Sequence, residues 1–282
     1  MPSYTQYRDS SDTTRTPSPV IWADCPTAEI AHNPAAGYHF FDDFIGFPTF
    51  AEADDVAADL GQNYRASGSD GVTCVNSTAG DDFGIIRVAG NDAAEDGFTL
   101  VHGNSRGGYA RMGAGASDRV WFEARFRTSN ITIDVLNVFI GLYEMTVDPT
   151  SVIAQVNGTG IPNTTEDYVG FLTTATDTGT MEAFYQEGGA TSVDVGRINT
   201  ILAVDTFFKV GMRYRGGAGA NGGGVLDYYL DGALVQTLDI TTALAFPDVN
   251  HMAMLLAVKS TLGTAYNFDL DWWRVAAVGG NT

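Results

Sequence analysis

Hydrophobic and polar residues alternate with a period of two through much of the chain, which is the pattern of half-buried β-strands. The clearest local signal is Asp231-Gly232, which is flanked by apolar runs at residues 225–230 and 233–238. Asp-Gly tolerates the positive φ angles of a type I′ turn, so these runs are predicted to form a tight hairpin. Residues 207–215 precede it and add a third strand to the same antiparallel meander.

Further runs of the same kind extend from residue 84 to the end of the chain. In residues 120–127 one face carries Val120, Phe122, Ala124 and Phe126, and the other carries Trp121, Glu123, Arg125 and Arg127. Residues 181–186 and 191–195 flank glycines as a second hairpin, and residues 52–60 are predicted to form a short helix or 3₁₀ turn. About a dozen strands without an internal repeat predict an all-β protein, a two-sheet antiparallel jelly-roll sandwich formed by residues 37–282 as a single domain.

The first 36 residues differ from the rest because Ser, Thr, Asp and Pro dominate them. A segment with so few apolar residues cannot bury enough surface to offset its chain entropy, so an extended N-terminal arm is predicted over residues 1–36. Apolar residues are spaced along this arm and are suited to binding a partner surface; they are Tyr4, Tyr7, Ile21 and Trp22. A plain solvated tail is the alternative interpretation.

Charge limits the partners that the chain can have. The formal net charge is −19, and Lys209 and Lys259 are its two lysines, so binding to nucleic acid is disfavoured by repulsion. Proteins, glycans or cations are the expected partners. No run reaches the ~18 apolar residues of a membrane span. The first residues lack a secretory signal, which favours synthesis in a host cytoplasm. Cys25 and Cys74 are expected to be unpaired thiols.

Four short motifs carry a resemblance to a known superfamily. They are Phe41-Asp42-Asp43-Phe44, Trp121-Phe122-Glu123-Ala124-Arg125-Phe126, Tyr228-Tyr229-Leu230-Asp231-Gly232 and Asp269-Leu270-Asp271-Trp272-Trp273-Arg274-Val275. In their order and spacing they resemble the concanavalin A-like lectin/glucanase superfamily over about residues 38–278. The resemblance implies a jelly-roll sandwich, and it is compatible with either a lectin or a glycosidase.

The catalytic motif of the laminarinase-like glycosidases in that superfamily is Glu-x-Asp-x-(x)-Glu on one strand, which places three carboxylates on one face. Here Glu52-Ala53-Asp54 is the only Glu-x-Asp, and no third acid follows at the required spacing. Residues 103–107 match Gly-x-Ser-x-Gly, but the glycines that follow disfavour the helix which a nucleophile elbow needs, so a hairpin turn is expected. The chain is therefore expected not to be an enzyme.

The resemblance also implies a structural calcium, which related proteins hold with an acid of the last strand and oxygens near the first. Asp271, with Asp42 or Asp43, matches those positions, and the alternative is that these acids make turn and edge hydrogen bonds. A glycan-stacking surface is the other candidate site, although alternation must turn some of its aromatic residues into the core. Its candidate residues are Trp121, Tyr228, Tyr229, Trp272 and Trp273.

An acidic jelly roll with a polar arm and no catalytic constellation resembles the capsid-decorating and other virion structural proteins of tailed bacteriophages. That resemblance implies a location on the outer surface of the virion, with the major capsid protein and symmetry-related copies of the chain as partners. A carbohydrate-binding, lectin-like receptor module of a phage or bacterium is the alternative. A glycoside hydrolase is the third hypothesis.

Overall fold

A computed structural model describes most of the chain after residue 14. The described residues are 15–51, 57–60, 63–69, 71–77, 84–91, 97–102, 108–113, 115–130, 136–144, 166–173, 180–188, 193–198, 203–217, 224–240, 246–247, 250–260 and 263–279. Within these residues the backbone forms seventeen β-strands, two short α-helices and one 3₁₀ helix. No helix in the described part of the chain is long and apolar enough to cross a membrane.

The strands form two antiparallel sheets of nine and eight strands. The first sheet contains β1 (Gly37–Asp42), β2 (Phe50–Ala51), β5 (Thr73–Asn76), β6 (Ile86–Gly90), β8 (Arg119–Thr128), β13 (Phe208–Arg215), β14 (Val225–Leu230), β15 (Ala233–Asp239) and β17 (Tyr266–Val278). The second contains β3 (Ala57–Leu60), β4 (Tyr64–Gly68), β7 (Gly97–His102), β9 (Asn137–Glu144), β10 (Tyr168–Thr173), β11 (Met181–Gln186), β12 (Val193–Ile198) and β16 (Met252–Lys259). The predicted all-β jelly-roll sandwich is confirmed.

Strand order places the most aromatic strands at the centre of the first sheet. Its order is β15-β14-β13-β8-β17-β6-β5-β2, and β1 pairs with the remaining part of β17. The second sheet has the order β12-β11-β10-β9-β16-β7-β4-β3. One core of apolar side chains from both sheets lies between them and includes Phe122, Phe126, Leu256 and Trp273. Burying such side chains is the main stabilising contribution in a sandwich of this kind.

The predicted hairpins are present. Asp231 and Gly232 have φ angles of 48° and 80°, as a type I′ turn requires, and they join β14 to β15. β11 pairs with β12 in the second hairpin. The prediction of a helix over residues 52–60 is wrong for residues 57–60, which form β3, because pairing with β4 satisfies their backbone groups. Residues 52–56, which include Glu52-Ala53-Asp54, lie outside the described residues, as do residues 103–107.

The two faces of β8 alternate as predicted, yet neither face is open to solvent. Phe122 faces the core, while Trp121, Glu123 and Arg125 on the opposite face are 1%, 0% and 3% exposed. That face is covered in part by α1 (Pro19–Trp22), which precedes α2 (Thr27–His32). The strand is therefore buried on both sides, and the expectation of a half-buried strand is corrected.

The structure thus differs from the predicted extended arm in residues 15–36. Pro19 stands in the first turn of α1, where its missing N–H costs nothing, and the two helices bury Ile21 and Ile30. A 3₁₀ helix, Pro34–Ala36, leads into β1. Residues 1–14, which contain Tyr4 and Tyr7, lie outside the described residues.

Candidate functional site

The candidate site is the outer face of the first sheet together with the segment that lies on it. We call residues 15–25 the latch and the surface beneath them the docking face. The docking face consists of outward-facing residues of β8, β13, β14 and β17, namely Trp121, Glu123, Arg125, Lys209, Gly211, Arg213, Tyr229, Asp271, Arg274 and Ala276. Alternation along each strand and antiparallel register bring these residues together, and Glu123 is paired directly with both Gly211 and Arg274.

Glu123 binds the latch through its carboxylate. The backbone N–H of Ser18 donates to Oε1 at 3.1 Å and to Oε2 at 3.0 Å, and the indole Nε1 of Trp22 donates to Oε2 at 2.7 Å. Burial raises the pKa of Glu123, and the hydrogen bonds from Ser18 and Trp22 oppose that rise. The two oxygens of one buried carboxyl thus accept from both a main-chain and a side-chain donor of the latch.

Ile21 is the apolar anchor of the latch. Its side chain is fully buried and forms a separate apolar cluster with Trp121, Tyr229 and Ala276. Gly211 leaves the space for it, because a Cβ at that position would lie 2.5 Å from Cδ1 of Ile21. The anchor and the gap below it are therefore complementary in shape.

Charged and aromatic contacts hold the latch on either side of Ile21. The guanidinium of Arg274 lies 3.9 Å from the ring centroid of Trp22, a cation–π geometry. Arg274 Nε donates to His39 Nε2 at 2.9 Å, and burial together with the charge of Arg274 lowers the pKa of His39 to about 4. On the other side, the indole Nε1 of Trp121 donates to Asp24 Oδ1 at 3.0 Å.

The start of the latch is fixed by an ion-pair cluster. Arg15 contacts Asp271 Oδ1 at 2.7 Å, and Arg125 pairs with the other carboxylate oxygen of Asp271. Lys209 Nζ donates to the carbonyl of Thr16 at 3.1 Å. Burial raises the pKa of Asp271, while the two arginines oppose that rise. Arginine pairing is what makes a carboxylate tolerable at this depth.

Two of the predicted calcium ligands, Asp271 and Asp42, lie on opposite faces of the first sheet. Asp271 lies on the docking face with its arginines, whereas Asp42 accepts from the N–H of Phe44 at 2.7 Å and from Tyr64 Oη at 2.6 Å, on the core side of the sheet. Asp42 therefore makes the turn and edge hydrogen bonds of the alternative interpretation. Asp43 is its neighbour in the chain, and the described residues contain no group of three or more acids, histidines or cysteines suited to a metal. Cys25 and Cys74 are both free thiols.

The predicted glycan-stacking residues are likewise not exposed. Trp121 and Tyr229 are each about 1% exposed, because Ile21 packs against them. Tyr228 points to the opposite face of β14, where its hydroxyl donates to the carbonyl of Phe184 at 3.1 Å within the core. The expectation of a stacking surface at these three residues is corrected, because Tyr228 faces the core while Trp121 and Tyr229 are buried beneath the latch.

A β-bulge in β17 decides which residues of that strand reach the docking face. The register shifts between Leu270 and Trp272, so Asp271 and Trp272 both lie on the outer face while Trp273 faces the core. Strict alternation would have placed Asp271 and Trp273 on one face. Glu123 and Gly211 were also not predicted as site residues. For Glu123 the sequence contains one indication, which is an acidic residue in a strand whose other face is wholly apolar.

Comparison with known proteins establishes the fold. No family model matches the sequence, and no curated protein matches it. Solved structures that resemble it include an endo-1,3-beta-glucanase from Streptomyces sioyaensis (15% identity, 87% of this chain and 98% of that chain, TM-score 0.51). Peanut lectin in complex with a 9mer peptide is similar to the same degree (13% identity, 86% and 97%, TM-score 0.51). Protein SO2946 of Shewanella oneidensis MR-1, a protein of unknown function, is also similar (13% identity, 91% of this chain and 95% of that chain, TM-score 0.50).

These identities show the fold alone. The chain has a two-sheet jelly-roll fold, and the solved structures that share it include both a lectin and a glucanase. Because one fold hosts both, the choice between binding and catalysis depends on the site.

Proposed function

We propose that this chain is a non-enzymatic structural protein of a virion, which decorates the outer surface of a bacteriophage head and stabilises the shell. The observation that carries the proposal is the docked latch. Because Arg15 is held by Asp271, the start of the latch is fixed to β17 at the centre of the first sheet, and any pull on the residues that precede it would be transmitted there. The predicted arm would then comprise residues 1–14 in place of residues 1–36.

Fourteen residues are enough to reach a neighbouring subunit. A fully extended chain spans at most ~3.3–3.6 Å per residue, so residues 1–14 could reach about 45–50 Å from Arg15. Tyr4 and Tyr7 lie within this reach and supply apolar anchors. The partners would be the major capsid protein and symmetry-related copies of the chain, and weak individual contacts would add up around a symmetric shell.

The roles of three buried carboxylates of the first sheet favour a structural protein over a glycosidase. On the outer face of the first sheet Glu123 holds the latch, Asp271 pairs with two arginines, and Asp269 pairs with Arg87 and Arg127. A retaining or inverting glycosidase needs two carboxyl groups free to act on substrate, one of them as a proton donor. We therefore expect no release of reducing sugar from laminarin, lichenan or agarose. Release that a single carboxylate substitution abolishes would overturn this assignment.

A lectin-like, carbohydrate-binding receptor module is the second candidate. The fold shared with peanut lectin favours it, as does Phe41, whose ring is 39% exposed beside Trp272 at a centroid distance of 6.1 Å. An exposed ring of this kind can stack on a sugar.

A short sequence identity accompanies the likeness to peanut lectin. The peptide in that structure is PVIWSSATG, and its first four residues are the same as residues 19–22 of this chain, Pro-Val-Ile-Trp. In this chain they form α1 of the latch. The peptide is therefore a useful probe for the docking face.

Cosedimentation with shells tests the proposal. Empty shells assembled from the capsid protein of the same genome are mixed with the full chain or with a form that starts at Arg15. We expect the full chain to sediment with shells and the shortened form to bind at least tenfold more weakly, about 1.4 kcal/mol. Equal binding would contradict the role of residues 1–14. No binding by either form, with selective hits on a glycan array, would favour the lectin.

A further inference from the structure

We infer that the docking face is a self-contained peptide-binding site, and that the latch of one copy of this chain can occupy the docking face of a second copy. The inference goes beyond the proposed function, because it concerns how copies join to one another and rests on the contacts of the latch alone. The exchanged segment would comprise residues 15–32, which are the latch and α2.

The contacts of the latch form a complete recognition pattern. The docking face contacts the latch at five of its residues. It pairs with the guanidinium of Arg15, and it accepts hydrogen bonds from the backbone N–H of Ser18 and the indole N–H of Trp22. It also encloses the side chain of Ile21 and donates a hydrogen bond to the carboxylate of Asp24. All of these partners lie on β8, β13, β14 and β17, more than 90 residues away in sequence. None of these contacts requires the covalent connection to β1, so the same contacts can form between two copies.

The connection between the latch and the sandwich has the features of a hinge. Asn33, Pro34 and Ala35 are exposed. The hydrogen bonds of Asn33 are local: its N–H donates to the carbonyl of Glu29, its side chain accepts from the N–H of Ala35, and its carbonyl accepts from the N–H of Ala36. Opening such a short 3₁₀ turn into an extended linker breaks few contacts with the sandwich.

Exchange conserves every latch contact, so concentration decides between the closed monomer and the exchanged assembly. This is the condition for domain swapping, in which identical elements trade places at little cost. In dilute solution the intramolecular latch is favoured, because its effective concentration is high. Copies held side by side on a regular surface would have comparable effective concentrations, which favours linkage from copy to copy.

A complementation experiment with full-length chains tests the inference. In Ile21→Asp the latch cannot seat but the docking face is intact, and in Gly211→Leu the face is blocked but the latch is intact. Each variant alone has no matching pair of latch and face, whereas the mixture has one. We expect each variant to sediment as a monomer and an equimolar mixture to form a heterodimer.

Val20→Asp provides the matched control, since residue 20 lies on the same helix but is 55% exposed. Its own latch still covers its face, so mixing it with Gly211→Leu should give at least about tenfold less heterodimer than the Ile21→Asp mixture. Folded variants, judged by circular dichroism, whose mixture stays monomeric would overturn the inference. So would equal heterodimer yields with Val20→Asp and Ile21→Asp.

A second measurement covers the case in which either variant fails to fold. A specific protease site replaces residues 34–36 of the otherwise unchanged chain, and the site is cleaved after folding. A fluorescent peptide of residues 15–32 is then added, with the peptide PVIWSSATG as a competitor. We expect the labelled peptide to exchange into the nicked protein and its anisotropy to rise. An unchanged anisotropy up to about 1 mM peptide would mean that the docking face does not bind the latch in trans.

Discussion

Replacement of Ile21 by alanine is the perturbation that isolates the latch. The side chain is 0% exposed and lies over Gly211 among Trp121, Tyr229 and Ala276. Removing three carbons from such a position costs about 2–5 kcal/mol, since a cavity remains where the neighbours cannot collapse. Collapse is restricted here because the Trp121 ring is itself held by its hydrogen bond to Asp24. The docking equilibrium should therefore shift towards the open latch by roughly 30- to several-thousand-fold.

Hydrogen exchange followed by mass spectrometry measures this shift directly. The peptide that covers residues 15–25 should exchange much faster in Ile21→Ala, while peptides from β9 and β16 should be unaffected. Val20→Ala is the matched control: its side chain is 55% exposed, so its effect should stay within about 0.5 kcal/mol. If Ile21→Ala and Val20→Ala gave the same exchange in residues 15–25, the burial of Ile21 against the docking face would be refuted.

Three further predictions follow from the same contacts. Burial raises the pKa of Glu123, so the docked state favours the protonated form of this side chain. The free energy of unfolding of the wild type, relative to Glu123→Gln, should therefore fall as the pH rises from the ordinary glutamate pKa through the raised value. Urea denaturation at several pH values in that range measures the difference, and a difference that grew with pH would contradict the prediction. A chain starting at Arg15 should have the same melting temperature as the full chain. A chain starting at Gly37 should have a melting temperature roughly 5–10 °C lower, because the docking face is then uncovered. Equal melting temperatures for all three forms would exclude a stabilising latch. Asp271→Asn should cost about 3–5 kcal/mol because it removes the carboxylate charge from a buried ion pair with Arg125. A chelator should not change the melting temperature of the wild type. A chelator-induced drop that Asp271→Asn removes would instead indicate a metal at this carboxylate.

Local chemistry allowed much of the sandwich to be predicted from sequence. The Asp231-Gly232 turn needs positive φ angles, and the strands on either side have lengths that fit a hairpin. Alternation in β8 correctly divided its core side from its outer side. The hairpin turn and the two faces of β8 depend on residues that are close in sequence, so the local sequence pattern is enough to predict them.

The latch could not be predicted, because its partners are far away in sequence. Ser18 and Glu123 are 105 residues apart, and residues 15–25 show neither a helical nor a strand period. Composition alone therefore indicated an extended arm. The bulge beside Asp271 was equally hidden, since a single extra residue reverses the faces of a strand without any compositional sign.

Electron microscopy of the virion encoded by the same genome would show whether the chain decorates the head. We expect an ordered array of β-sandwiches on the outer surface of the head, with residues 15–25 on a docking face and residues 1–14 running onto capsid subunits. The absence of such density from the head, or sandwiches attached through another part of the chain while residues 1–14 contact nothing, would contradict this expectation.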